Sequence, residues 1–194
     1  LVPSILTQGE WTSWNAAAKK ELDTNPIFGV NPNDISMYTV RENKITPEEK
    51  LSNEFKAQKQ FFERICILMK FIENEETDKS SDLFAEMYNY FTAYLKNITK
   101  VNEEVLASYL IVQKLSSLDK MFAFPVKYTF SEIFNKIENP REMYELLKDK
   151  KNTTLREDFL SAIKKLTDWD DIYINMFPTV LKEKLIDDLI EAGK

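Results

Sequence analysis

The chain repeats one local pattern, a helix-start signal followed by apolar residues three and four positions apart. Thr7 with Glu10 fits a capping box, and Thr46 precedes a proline and two glutamates that suit a first helical turn. After the first signal, Trp11, Trp14 and Ala18 follow the spacing of one helical face. The same pattern predicts helices over about residues 8–23, 47–72, 82–97, 103–118, 130–137, 140–149, 154–166, 169–177 and 178–192.

Three of these predicted helices depend on a particular choice of capping residue. Thr129 or Ser131 opens the short helix that ends near residue 137. Thr153 or Thr154, with Glu157 placed for a capping box, opens the helix over residues 154–166. We expect Asp168 to cap the helix over 169–177.

Glycine scarcity narrows the fold class further. Only 3 of the 194 residues are glycine, the residue that tight hairpins and phosphate-binding loops require. Residues 35–40 alternate enough for one short extended segment. We therefore predict an all-α fold, an irregular helical array or orthogonal bundle of about eight to nine helices, with a solenoid-like arrangement as an alternative.

The domain prediction is one helical domain over residues 1–194, cut from a longer protein. The chain begins with Leu1 rather than methionine and ends just after a predicted helix. The alternative is a division into a front bundle over 1–120 and a rear helical array over 121–194, because the pattern changes near residue 120.

Composition disfavours several classes of function. There is no histidine, and Cys66 is the only cysteine, so the commonest neutral-pH base and a Cys/His zinc site are both missing. A net charge of −6, with 22 lysines and 4 arginines that form no concentrated basic stretch, does not favour direct nucleic-acid binding. The longest apolar run, Ile65–Met69, is too short to span a membrane. We predict a cytoplasmic protein with no cofactor and no metal.

Candidate catalytic groups have structural interpretations that we favour. Asp168, Asp170 and Asp171 cluster at a helix start, where a cap and the helix dipole explain them. Cys66 lies in the apolar stripe of a predicted helix without a base partner, which favours a core thiol. A carboxylate-dependent enzyme fragment nevertheless stays open as one alternative function.

Trp11 and Trp14 are the candidate site. Both indoles project from one face of the first predicted helix. They either pack into this domain or present an apolar contact to a protein partner, where tryptophan is enriched.

The first helix carries a family resemblance. The pattern Trp11-x-x-Trp14-x-x-x-Ala18-x-x-x-Leu22-x-x-x-Pro26-x-Phe28-Gly29 resembles a segment of the long Gre-type transcription elongation factors of some bacteria, notably spirochaetes and chlamydiae. Those factors carry a large helical region ahead of the Gre domain. The acidic coiled-coil finger that cleaves transcripts has no counterpart in this sequence, so no cleavage residue can be carried over.

The resemblance implies a non-enzymatic helical interaction module of a bacterial elongation factor. Its partner would be RNA polymerase or another protein, and the oligomeric state stays open. The alternative is a scaffold like those built from HEAT or TPR repeats, belonging to an unrelated multidomain intracellular protein.

Overall fold

Helices dominate the computed structural model, which describes residues 6–31, 33–40, 44–96, 98–149, 152–177 and 190–191. Within these ranges the predicted irregular helical array is confirmed, and a two-stranded sheet is added to it. The helices are α1 (Gln8–Thr24), α2 (Pro47–Ala57), α3 (Phe61–Glu73), α4 (Asp82–Lys96), α5 (Glu103–Leu118), α6 (Phe130–Phe134), α7 (Pro140–Asp149), α8 (Thr153–Ile163) and α9 (Trp169–Met176). The strands are β1 (Phe28–Asn31) and β2 (Asp34–Val40), and a 3₁₀ turn covers Lys120–Phe122. The chain packs as two compact units, residues 1–87 and 88–194.

The first unit contains an antiparallel hairpin. Its register pairs Phe28 with Val40 and Val30 with Tyr38, and an irregularity follows Val30. The extended segment predicted over residues 35–40 is confirmed as part of β2. β1 was not predicted because it is only four residues long and contains a glycine, so too little alternation marks it.

The helix predicted over residues 47–72 is wrong as a single helix. α2 ends at Ala57, and α3 starts at Phe61. In the joint, the Gln58 side-chain oxygen accepts the Gln60 backbone N–H at 2.9 Å, and Arg64 Nε donates to the Gln58 carbonyl at 2.6 Å. These two bonds satisfy backbone groups that have no partner where the helical hydrogen bonding is interrupted.

The first unit's core lies mainly on α3. Its buried side chains include Phe61, Phe62, Ile65, Leu68 and Phe71. The Phe71 ring lies 5.4 Å from that of Phe84, centroid to centroid, in a tilted pair. Aromatic burial of this kind stabilises the unit strongly.

In the second unit, α5 is the central helix. It is buried on nearly every side, at positions 105–108, 110–112 and 115. A helix that is apolar all round is typical of the middle of a domain. α6 and α8 contact it, and α7 packs on α8.

Two of the predicted caps in this unit are wrong. Thr129 does cap α6, with Glu132 completing the capping box. At α8, however, Thr153 is already helical and follows Asn152, so the predicted box with Glu157 does not form. Asp168 precedes α9, but its side chain makes no capping bond.

Asp168 does not cap α9 because its ψ angle is 26°, whereas a capping residue takes extended geometry. At α8 the N-cap position belongs to Asn152, so the two predicted threonines, Thr153 and Thr154, already lie inside the helix. The helix predicted over residues 178–192 lies outside the described residues, apart from residues 190 and 191, which are helical.

Candidate protein-contact site

α1 begins at a fully formed capping box. The Glu10 carboxylate accepts the Thr7 backbone N–H at 2.8 Å and the Thr7 hydroxyl at 2.7 Å, while Thr7 Oγ1 accepts the Glu10 N–H at 3.4 Å. Hydrogen bonds from the Thr7 hydroxyl and then from its backbone hold the pKa of Glu10 below its ordinary value. The sequence therefore fixes where this helix starts, and with it the positions of both indoles.

No residue of α1 is buried, although the helix has an apolar stripe. Trp11 is half-buried, and 53% of Trp14 is exposed. The two indoles stack, with centroids 5.4 Å apart and planes 24° from parallel. The predicted alignment on one face is thus observed, and Trp14 presents much of its ring to solvent.

The hairpin is tied to the last turn of α1 by a short hydrogen bond. Tyr38 Oη donates to Asp23 Oδ1 at 2.6 Å. This bond, followed by burial and the charge of Asp23, raises the pKa of Tyr38 to about 12. Asn25 shapes the connection, because its backbone N–H donates to the Glu21 carbonyl and its side-chain oxygen accepts the Ile27 N–H.

The hairpin also exposes large apolar side chains. Met37 is 53% exposed and Val40 is 76% exposed, and Ile27 at its entrance is also exposed. Sequence analysis did not single out these residues as site candidates. The alternation of residues 35–40 was visible in the sequence, but it does not indicate which face of the hairpin the rest of the unit covers.

A cleft of about 930 Å³ lies in the first unit between α1, the hairpin, α2 and the end of α3. Val30 and Ile45, both buried, lie along it, as does Leu51. Sequence analysis missed this cleft because its lining comes from residues as far apart as 19 and 76. No local sequence pattern indicates that residues so far apart in the sequence line one cleft.

Lys50, in the first turns of α2, lines the cleft. The side chain is only partly buried, but solvent does not reach its ammonium nitrogen, and no described residue offers it a hydrogen bond. Burial lowers the pKa of this group, and the carboxylates of Asp23 and Glu54 oppose the shift.

None of the candidate catalytic residues lines the cleft. Cys66 is half-buried in the middle of α3, and its sulfur lies 3.6 Å from the Phe62 carbonyl oxygen. Asp168, Asp170 and Asp171 are exposed or half-buried at the start of α9. Among the described residues, no three His, Cys, Asp or Glu side chains are grouped to hold a metal.

None of the described helices combines the length and the apolar character that a membrane span requires.

Comparisons with known proteins place the chain in a family. Residues 47–194 match the GreA-associated C-terminal domain, and residues 1–45 match the GRAD helix-turn-helix domain. Within the described part of residues 1–45 we observe one helix followed by a hairpin. No solved structure matches the chain.

Two spirochaete proteins are similar to the chain. A GreA-associated domains protein of Treponema pallidum is 40% identical over 194 residues, which are 100% of this chain and 29% of that protein. The transcription elongation factor GreA of Borreliella burgdorferi is 29% identical over 192 residues, which are 97% of this chain and 21% of that protein. The chain thus spans less than a third of the length of either relative. The resemblance to the accessory region of Gre-type factors is confirmed, and the chain belongs to the family of GreA-associated domains.

Proposed function

We propose that this chain is a non-enzymatic binding module of a Gre-type transcription elongation factor, and that it contacts RNA polymerase through α1. The link to GreA rests on the family match and on the two spirochaete relatives. The choice of polymerase rests on the transcriptional context of the Borreliella relative. The proposal places the protein in the cytoplasm, with the polymerase.

The observation that carries the proposal is the exposed indole of Trp14. A 17-residue helix without a single buried residue leaves a stacked tryptophan pair partly open to solvent. Exposed tryptophan is costly in water and is enriched at the centres of protein interfaces. Burial against a partner would remove this apolar surface from water.

Charge supports a protein partner over a nucleic acid. α1 carries two lysines and three carboxylates: Lys19, Lys20, Glu10, Glu21 and Asp23. A helix that reads DNA needs an excess of positive charge to displace counterions from phosphates. The resulting net charge of α1 is negative, although residues 1–45 match a helix-turn-helix domain.

The test measures the affinity of the full chain for purified spirochaete RNA polymerase by biolayer interferometry. Trp14→Ala should weaken binding by about thirtyfold, a loss in the range of interface hot spots. Leu118→Ala is the matched control, because Leu118 is 61% exposed and lies on α5 in the other unit.

The control variant should bind within about twofold of the unaltered chain. Circular dichroism would establish that both variants keep their helices. Absence of binding by the unaltered chain, or equal affinities for all three proteins, would contradict the proposal.

A further inference from the structure

A cavity of about 520 Å³ lies within the second unit, between α5, α8 and the start of α6. Leu110, which is buried, and Leu166, which is half-buried, belong to its apolar lining. Phe130 also lines it, with its ring 6.3 Å from that of Tyr109 and stacked on that of Phe134 at 5.4 Å. The cavity is therefore pre-formed, and its size suits a large side chain with its flanking backbone.

Three exposed polar side chains line the same cavity and are not hydrogen-bonded within the described residues: Gln113, Ser161 and Lys165. Because they are exposed, a ligand that enters the cavity can reach them as readily as water does. The amide of Gln113 offers a donor and an acceptor, and so does the hydroxyl of Ser161. These groups match the N–H and C=O groups of a peptide backbone.

Lys165 is the one uncompensated charge among the described residues that line the cavity. Lys114 Nζ pairs with Asp158 Oδ2 at 2.9 Å, so the other two charges of the lining offset each other. Lys164, its neighbour in sequence, is also engaged, because its Nζ lies 3.3 Å from Glu191 Oε2. A single carboxylate complements the charge that Lys165 leaves over.

Two carbonyl groups at the C-terminal end of α8 are bonded within the chain. The Ala162 carbonyl accepts the Lys165 N–H at 3.3 Å, and the Ile163 carbonyl accepts the Leu166 N–H at 2.8 Å. The negative potential of a helix end comes from carbonyls that lack such partners. An incoming carboxylate thus meets the Lys165 ammonium and fewer free carbonyl oxygens.

We propose that this cavity binds a short peptide segment of a protein partner, in which an acidic residue follows one large apolar residue. The apolar side chain contacts Leu110, Phe130 and Leu166, the carboxylate pairs with Lys165, and Gln113 bonds the peptide backbone. The inference goes beyond the proposed function and does not depend on it, because the contact with polymerase is assigned to α1 in the first unit.

The lining favours a peptide over a nucleic acid. Of its two lysines, Lys114 is already paired, and none of the described lining residues is an arginine. Binding to a phosphate backbone needs several positive charges that displace counterions, and a planar guanidinium suits phosphate best. One free ammonium beside an apolar surface instead suits one carboxylate beside an apolar side chain.

The cavity is tested by titrating the ¹⁵N-labelled full chain with a blocked five-residue alanine peptide that has leucine at the centre and glutamate next to it. Amide resonances of the residues that line the cavity should shift and saturate. A control peptide with glutamine for glutamate should bind about threefold more weakly, as expected for loss of an exposed ion pair. A second control with alanine for leucine should bind about tenfold more weakly, because it buries less apolar surface.

Charge reversal at Lys165 tests the assigned pair. Lys165→Glu should weaken binding of the glutamate peptide and should prefer a peptide with lysine at that position. Lys120→Glu is the matched control, because Lys120 is an exposed lysine of the same unit that does not line the cavity. Ala162→Phe fills the cavity and should weaken every peptide at least about tenfold, with circular dichroism to establish that the helices persist.

Each outcome decides a part of the proposal. Absence of saturable shifts with any peptide, or shifts confined to residues outside the cavity, would overturn the peptide site. An unchanged preference in Lys165→Glu would refute the carboxylate contact, and equal affinities for the leucine and alanine peptides would refute the apolar contact. Lys165→Glu should bind polymerase as the unaltered chain does, so failure of either proposal leaves the other standing.

Discussion

The hydrogen bond from Tyr38 to Asp23 should hold the hairpin against α1, and Tyr38→Phe removes it. The two oxygens are 2.6 Å apart, and the pKa of Tyr38 is raised from 10.0 to about 12. A shift of that size would correspond to about 2.7 kcal/mol, but the pair lies at the surface, and solvent screening reduces the expected value to about 1 kcal/mol.

The sign of the pH dependence follows from the direction of this shift. The folded chain holds the phenolic proton more tightly than the unfolded chain, so the bond stabilises fully below pH 10 and is lost as the pH rises to 12. At pH 11 about half of the contribution should be gone. Tyr38→Phe should therefore lose less stability than the unaltered chain between pH 8 and pH 11.

The assay is urea unfolding followed by tryptophan fluorescence in a Trp169→Phe background. Both remaining indoles, Trp11 and Trp14, then lie in α1. A double-mutant cycle of Tyr38→Phe and Asp23→Ala at pH 8 should give a coupling of about 1 kcal/mol. A coupling under about 0.3 kcal/mol, together with parallel pH profiles, would refute the role of this bond.

Three further substitutions test the fold and its helix ends. Phe71→Ala removes a fully buried ring and should lower the free energy of unfolding by about 3–5 kcal/mol. Leu118→Ala, at an exposed position, should change it by less than about 0.5 kcal/mol. Similar urea midpoints for the two variants would contradict this. Thr46→Ala should cost about 1 kcal/mol through loss of its cap, while Thr153→Ala, inside α8, should be nearly neutral, and equal losses in thermal melts would count against the assigned caps. Glu10→Gln should weaken α1 at neutral pH. Because the pKa of Glu10 is lowered in the folded chain, its carboxylate stabilises the helix at pH values above its ordinary pKa of 4.5 and ceases to do so as the pH falls. A difference in helicity between the variant and the unaltered chain that persists at pH 2 would contradict this.

Local signals in the sequence were sufficient to place most helix starts. Thr7 and Thr46 each cap the helix that they were expected to open, and Thr129 is the one of the two candidates that caps α6. A capping bond spans only three residues, so its participants are adjacent in the sequence. The features that were missed depend on contacts between residues more than one helical turn apart in the sequence.

The joint between α2 and α3 illustrates such a miss. The seven-residue spacing from Phe55 to Phe62 spans residues 58–60, which are all polar, and Arg64 reaches back to the Gln58 carbonyl and helps to hold the chain out of the helix. β1 is similar, because a four-residue strand is defined by its pairing with β2. Neither interaction leaves a periodic trace in the sequence.

The candidate site was predictable only in part. The spacing of Trp11 and Trp14 predicted a shared face, whereas the exposure of Trp14 depends on what packs over α1. The environment of Lys50 was not predictable, because Tyr38, Lys19 and Glu54 reach the same cleft from different elements. Local sequence patterns also could not decide between an interaction module and the two alternatives, an enzyme fragment and a repeat scaffold, because function depends on a particular site and not on the fold.

Hydrogen–deuterium exchange on the full-length factor, alone and bound to RNA polymerase, tests the central claim most directly. Contact through α1 predicts that amides of residues 8–24 exchange more slowly in the complex, while those of α5 are unchanged. The same measurement on the Trp14→Ala factor should lose the protection of α1. Unchanged exchange across residues 8–24 in a complex that has formed would contradict the account.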